Sequence, residues 1–178
     1  MKILHGFTGS VASKLADKFN LFYEEKEFEV KYVSTNSAMN FMDSYLCGKK
    51  TFHTVLEDKE EWYNYKENNT VLHIDLVKWA DVFVIAPCSA NTLAKLANGI
   101  CDNLLTCVAR AWDFNKKIIV AASMNSRMFE HKVTRLHLDL LKSWGYTIVE
   151  PVEKQLFCGD FGIGAMAEIE NIIEKVNE

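Results

Sequence analysis

The chain has 178 residues, 49% of them hydrophobic, and a net charge of -4. That length suits one domain able to bury a core without covalent staples, and no Pro-, Gly- or Ser-rich linker divides it, so a single domain over 1–178 is expected. Charges of both signs are interspersed, which gives no reason to expect nucleic acid or an acidic membrane surface as a partner.

Five cysteines, Cys47, Cys88, Cys101, Cys107 and Cys158, show no paired CxxC spacing. Their odd number argues against a secreted disulfide framework, so free thiols in a reducing compartment and no metal site are expected. No apolar run approaches the ~18 residues that spanning a bilayer requires. The N-terminal MKILHGFTGS reads as a buried strand rather than a signal peptide. A soluble, cytoplasmic protein is the expectation.

Strand-like apolar runs cover Lys2 to Phe7, Phe28 to Val33, Asp81 to Ala86, Lys117 to Ala122 and Tyr146 to Val149. Helical patterns lie between and after them: Ser10 to Phe22, Ala38 to Asp43, Asp75 to Trp79, Asn91 to Ala97, Asn103 to Trp112, Val133 to Trp144 and Ala167 to Val176. Alternation of this kind predicts a parallel sheet. Runs such as Val82 to Ile85 are apolar on both faces, which requires helices on both sides of it. The predicted fold class is α/β, a three-layer doubly wound parallel sheet of Rossmann or flavodoxin-like type. The polar, aromatic stretch 48–69 has no clear period, and Glu57 to Glu61 reads as a solvated turn or short helix.

In such sheets ligands sit beyond the carboxyl ends of the strands. After the first strand, Gly9 permits a tight turn and Ser10 can cap the following helix, an arrangement that suits either a phosphate or a plain capped turn. After the second, Ser34-Thr35-Asn36-Ser37 suits a phosphate or ribityl chain, or a helix cap. After the third come Ala86-Pro87-Cys88-Ser89-Ala90-Asn91-Thr92 and then Gly99-Ile100-Cys101-Asp102-Asn103-Leu104-Leu105-Thr106. After the fourth comes Ala122-Ser123-Met124-Asn125-Ser126-Arg127-Met128-Phe129. Pro151 then opens a segment running to Met166 in which Gly159, Gly162 and Gly164 indicate a mobile or unusually folded backbone, as in a lid.

These segments resemble, in order and over nearly the whole chain, the motifs of the homo-oligomeric flavin-containing cysteine decarboxylases. That family carries Pro-Ala-Ser-Ala-Asn-Thr at the third strand end, where Cys88 here replaces an alanine. Its pantothenate branch continues with Gly-Ile-Cys-Asp-Asn-Leu-Leu-Thr. Its Pro-x-Met-Asn-x-x-Met-Trp motif is matched except for Ala122 and Phe129, and Phe129 keeps an aromatic wall.

The resemblance implies FMN as cofactor, held by Gly9, Ser10, Val11, Ser34, Thr35, Ala86, Pro87, Ser89, Asn91, Thr92, Ser123 and Met124. It implies His73, in His73-Ile74-Asp75-Leu76, as an acid/base or orienting group, and Asn125 as the grip on the substrate carboxylate. Met128, Ala165 and Met166 would touch substrate, and Cys158, in a flexible flap at about 151–166, would donate the last proton. The implied reaction is decarboxylation of 4'-phosphopantothenoyl-L-cysteine to 4'-phosphopantetheine in coenzyme A biosynthesis, through a thioaldehyde and an ene-thiol. The implied assembly is a homotrimer with sites between subunits.

Relatives also include phosphatase-inhibiting regulatory flavoproteins, flavin prenyltransferases and peptidyl-cysteine decarboxylases. The absence of a long acidic tail and the joint presence of His73, Asn125 and Cys158 favour the pantothenate branch. His5, His53, His131 and His137 are read as structural, Cys101 and Cys107 as packing residues of an apolar helical region, the four tryptophans as core or interface anchors, and Cys88 has no assigned role.

Overall fold

The computed structural model describes residues 1–46, 55–68, 70–157 and 159–178. Six parallel strands form the central sheet: β1 (Lys2–Phe7), β2 (Glu29–Ser34), β3 (Val55–Leu56), β4 (Val82–Cys88), β5 (Lys117–Ala122) and β6 (Thr147–Val149), in the spatial order β3-β2-β1-β4-β5-β6. The chain therefore winds outward from β1 in one direction and from β4 in the other, leaving a crevice where the order reverses. The predicted three-layer, doubly wound class is the one observed.

Period-two alternation along the central strands assigns each side chain to one of two cores. Leu4, Phe83, Ile85, Ile118 and Val120 face one side, against α4 (Leu72–Trp79), α5 (Ala90–Asn98), α6 (Leu104–Arg110) and α8 (Lys132–Ser143). Ile3, Phe7, Val82, Val84, Ile119 and Ala121 face the other, against α1 (Ala16–Glu25), α2 (Asn36–Leu46) and α9 (Ile169–Asn177). A strand buried on both faces can be apolar throughout, which is why β4 reads as an unbroken run. Gly6 lets α6 close onto the sheet, since a Cβ there would lie 2.8 Å from Leu105 Cδ1.

Three local differences from the sequence reading have physical causes. The first predicted helix is broken into a 3-10 turn (Val11–Leu15) capped by Ser10, followed by α1. The stretch after residue 54 holds β3 and an 11-residue helix, α3 (Asp58–Asn68), that presents Trp62, Tyr63 and Tyr65 to solvent. Having no single apolar stripe, α3 leaves no helical period to read. The segment expected as a loop after Pro151 is an antiparallel hairpin, β7 (Val152–Gln155) and β8 (Phe161–Ala165). A short helix that the sequence reading did not include, α7 (Ser126–Phe129), follows β5 and is capped by Asn125.

Cys101 and Cys107 do not pack in the core as expected. Cys101 is exposed in the loop before α6, and Cys107, half-buried on α6, donates its thiol to the Cys101 carbonyl at 3.3 Å. Of the tryptophans, Trp112 is buried and Trp79 packs against the core, whereas Trp62 and Trp144 are exposed. His53 and Cys47 lie outside the described residues.

His5 is fully buried within an aromatic shell of Phe7, Phe19, Tyr23 and Tyr32. A carbonyl can only accept, so the 2.6 Å contact with the Ala86 oxygen makes Nε2 the protonated nitrogen, and Nδ1 accepts from the Tyr23 hydroxyl at 2.8 Å. Burial pushes its pKa from 6.5 down to about 3, against a smaller opposing effect of the Ala86 hydrogen bond. A histidine held neutral in the fold contributes stability above its unfolded pKa and loses it as pH falls toward the folded value. Between about pH 7 and about pH 4 this one group should therefore cost about 3 kcal/mol. His5→Gln retains a donor and an acceptor but cannot be protonated in this range. Its urea midpoint should fall less than that of the wild type over that interval, and parallel losses would show that acid sensitivity originates elsewhere.

Candidate active site

The ends of β1, β2, β4 and β5, with the β7–β8 hairpin, enclose a cavity of about 840 Å³. Its floor begins at the turn after β1. Gly9 allows the close approach of α2, because a Cβ at that position would lie 2.7 Å from Ser37 Cβ. Ser10 Oγ caps the 3-10 turn and lies 2.9 Å from Ser123 Oγ, joining the turns that follow β1 and β5.

The adjoining turn after β4 is held by Thr8. Its hydroxyl donates to the Pro87 carbonyl at 2.8 Å and accepts the Ser89 amide at 2.7 Å. Ser89 then caps α5 by accepting from the Thr92 amide.

At the end of β2, Ser34 Oγ and Thr35 Oγ1 are buried and have no hydrogen-bond partner among the described residues. Buried hydroxyls are ordinarily satisfied, so a pair of orphans beside a cavity marks a place built for a polar ligand. Thr35 lines the cavity, whereas Ser34, the residue before it, is fully buried and does not. Thr35 and the Gly9–Ser10 turn together present hydroxyl and amide donors to the cavity, a set suited to a phosphate.

The opposite wall carries Met124, Asn125 and Met128 from the β5 end, and Ala165 and Met166 from the end of β8. Asn125 Oδ1 accepts from the Arg127 amide at 3.0 Å, so the α7 cap fixes its amide plane. The hairpin seats on this wall: the Met124 amide donates to the Gly164 carbonyl at 2.9 Å, and Gly164 has φ +127°.

Of the residues expected to bind a cofactor, Gly9, Ser10, Val11, Thr35, Ser89, Asn91, Thr92, Ser123 and Met124 line the cavity. Ser34, Ala86 and Pro87 are buried behind it. Every expected substrate residue, Asn125, Met128, Ala165 and Met166, is on the wall. His73 is not. It sits on α4, bonded to Glu61 of α3, outside the lining of this chain's cavity. Cys158 lies outside the described residues, although its neighbour Phe157 lines the cavity.

The cavity lining also holds charged residues, of which only Asp102 lies within a quoted motif. Lys95 binds both carboxylate oxygens of Asp102 at 2.7 Å, and this bond holds the Asp102 carboxyl below its usual pKa. Asp58 accepts the Leu104 amide at 2.6 Å. Lys14 stands over the Phe157 ring at 4.6 Å, and Lys154 pairs with Glu168 at 3.1 Å. Scattered single charges carry no spacing signal, so only packing reveals them. Cys88, the last residue of β4 and the motif's one substitution there, is fully buried, and burial pushes its thiol pKa up, so it acts as a small core residue.

A doubly wound sheet with hydroxyl and amide donors at its switch point defines a class of nucleotide- and flavin-binding proteins. The flavoprotein family model matches residues 1–178, and the chain belongs to that family. It is 45% identical to phosphopantothenoylcysteine decarboxylase of Mus musculus over 177 residues, covering 98% of this chain and 85% of that one. Among solved structures it is similar to a serine-for-cysteine mutant of PPC decarboxylase complexed with pantothenoylaminoethenethiol, with TM-score 0.92 and 43% identity over 99% of this chain and 96% of that one. It is likewise similar to the FMN binding protein AtHal3, with TM-score 0.88 and 43% identity, covering 99% and 94%.

A Cβ on Gly164 would collide with the Met124 carbonyl oxygen, and the backbone there lies in a region that L side chains rarely adopt. Gly164→Ala should therefore lower stability by about 1–3 kcal/mol, read as a fall in the thermal midpoint. An unchanged midpoint would show that the hairpin does not depend on this close approach.

Proposed function

We propose that the chain is an FMN-dependent decarboxylase that converts 4'-phosphopantothenoyl-L-cysteine to 4'-phosphopantetheine. In this reading it works as a cytoplasmic homotrimer whose sites form between subunits. The observation that carries it is the meeting, in one cavity, of a phosphate-suited cradle and the Asn125–Met128 wall beneath a hairpin. Relatives and structural neighbours named for this activity support the substrate, and the free thiols among the described cysteines suit a reducing compartment.

FMN would be held by the Gly9–Ser10 turn, Thr35 and the turns at Ser89 and Ser123, with Ser34 buried beside Thr35. When bound, it supplies the electron sink that a simple aminoacyl cysteine lacks, taking up two electrons before CO2 departs and returning them afterwards. Asn125 binds the substrate carboxylate through its amide donor end, because the α7 cap already engages Oδ1. Met128, Ala165 and Met166 supply the apolar surface that orients the thiol-bearing end and excludes water. Cys158, next to Phe157, donates the proton that accompanies the final reduction.

His73 acts as the acid/base group in the cavity of a neighbouring subunit. Its position outside its own chain's cavity supports that arrangement. So does the exposed apolar surface at Trp62, Tyr63, Ile100, Phe114 and Trp144.

The direct test is the absorption spectrum of the purified protein and mass analysis after addition of phosphopantothenoylcysteine. Flavin absorption with phosphopantetheine formed is the expected result, and a colourless protein that FMN cannot reconstitute would overturn it. Asn125→Asp keeps an acceptor for the α7 cap but places a negative charge against the substrate carboxylate. It should retain FMN and lose turnover by about a hundredfold or more, and normal turnover would reject the assigned grip. Thr35→Val removes a hydroxyl that has no hydrogen-bond partner among the described residues. It should leave the stability of the FMN-free protein unchanged or slightly raised while weakening FMN about tenfold, as expected for one lost hydrogen bond. Undiminished FMN affinity would remove Thr35 from the cradle.

A further inference from the structure

We propose that Glu61 is a positioning residue for His73, fixing which imidazole nitrogen carries the resting proton and so presenting Nε2 to the substrate. The inference rests on the reading of His73 as the acid/base group. Glu61 lies on α3 and His73 on α4, twelve residues apart. One carboxylate oxygen, Oε1, is 2.8 Å from His73 Nδ1, and the other, Oε2, accepts the His73 main-chain amide at 3.0 Å. Both partners are largely shielded, with side chains 16% and 26% exposed.

A carboxylate only accepts hydrogen bonds, so Nδ1 must carry a proton whether the ring is neutral or charged. The neutral ring is thereby held with its lone pair on Nε2, which has no hydrogen-bond partner among the described residues. A proton taken up at Nε2 converts the pair to imidazolium and carboxylate, and its return restores the starting state. Glu61 stabilises the charged form of this cycle, the part a buried carboxylate plays behind a catalytic imidazole elsewhere.

Neighbouring groups do not compete for the role. Asp58, one turn earlier on α3, accepts the Leu104 amide at the start of α6. The Cys107 thiol, near both carboxylates, has its pKa raised to about 11, chiefly by burial, and stays protonated.

The bidentate arrangement also has a bland function. The N-cap of α4 is Val71, which has no side chain able to accept a hydrogen bond, and Glu61 satisfies one of the first-turn amides in its place. The two functions separate in Glu61→Gln, whose amide oxygen can still cap α4 but whose neutral side chain can either accept from Nδ1 or donate to it. Glu61→Asp keeps the charge on a shorter arm.

The test is made on FMN-loaded protein carrying nitrogen-15 histidine. Imidazole shifts of His73 are compared with kcat and KM for wild type, Glu61→Gln, Glu61→Asp and His73→Asn. In the wild type the neutral ring should be almost wholly the Nδ1–H tautomer. Glu61→Gln should show a mixture of tautomers and a kcat lowered about ten- to a hundredfold, with KM and the flavin spectrum unchanged. Glu61→Asp should recover part of the lost kcat. A wild-type tautomer pattern in Glu61→Gln, with or without a fall in kcat, would overturn the proposal and leave Glu61 as a helix cap. His73→Asn with undiminished turnover would instead overturn the acid/base reading of His73, whatever the tautomer data show for Glu61.

Discussion

Beyond Ile85 the main-chain ladder between β1 and β4 gives out, and buried side chains take over the pairing. His5 donates to the Ala86 carbonyl, while Thr8 donates to the Pro87 carbonyl and accepts the Ser89 amide. Proline has no amide to offer a neighbouring strand, so this turn cannot be secured by ordinary sheet pairing alone. The three side-chain bonds are inaccessible to water, where an unmade partner would cost far more than a made bond contributes. They set the turn after β4 against the turn after β1 at the point where the strand order reverses. Ser10, Ser89 and Ser123 take their places on the cavity wall from this junction.

The two-sided sheet explains why the junction is rigid. Each central strand divides its side chains between two cores, so a register slip of one residue would exchange every buried contact on both faces. Polar groups can be placed at the strand ends because the apolar runs behind them leave no alternative register. The hairpin, by contrast, is attached through its edges: the Met124–Gly164 main-chain bond, the Lys154–Glu168 pair and Lys14 over Phe157. Phe157 and Phe161 are among the most exposed aromatics described, so the hairpin covers the cavity without being part of either core. A wall fixed by burial and a cover held by a few edge contacts suit a site that must admit and then enclose a small molecule.

Residues at strand ends were readable because two signals coincide there, the close of an apolar run and the start of a capped helix. Gly9, Ser10, Thr35, Ser89, Asn125 and Met128 all follow that rule and all reach the cavity. Ser34, Ala86 and Pro87 follow it too, but the last residues of a strand are covered by the next turn, so they support the wall from behind. The hairpin escaped notice because its glycines signal an irregular backbone as readily as a turn between strands, and β7 and β8 are short. Helix α3 was read only as a turn or short helix at Glu57 to Glu61, because its aromatic and charged residues surround it without a stripe.

The sequence alone determined the alternation of buried strands and helices, hence the winding of the sheet, the end of it that carries the site and most of the residues in the wall. The winding and the end that carries the site follow from period, capping and turn chemistry, which act between neighbours along the chain, whereas wall residues such as Asn125, Met128, Ala165 and Met166 were indicated by the resemblance to the cysteine decarboxylases. Tertiary structure decided that Glu61 meets His73, that Asp58 caps α6, that Lys14 reaches Phe157, and that His73 does not face its own chain's cavity. These are contacts between side chains on separately packed elements. No composition or spacing encodes them, because each depends on the angle and distance at which two buried surfaces come to rest.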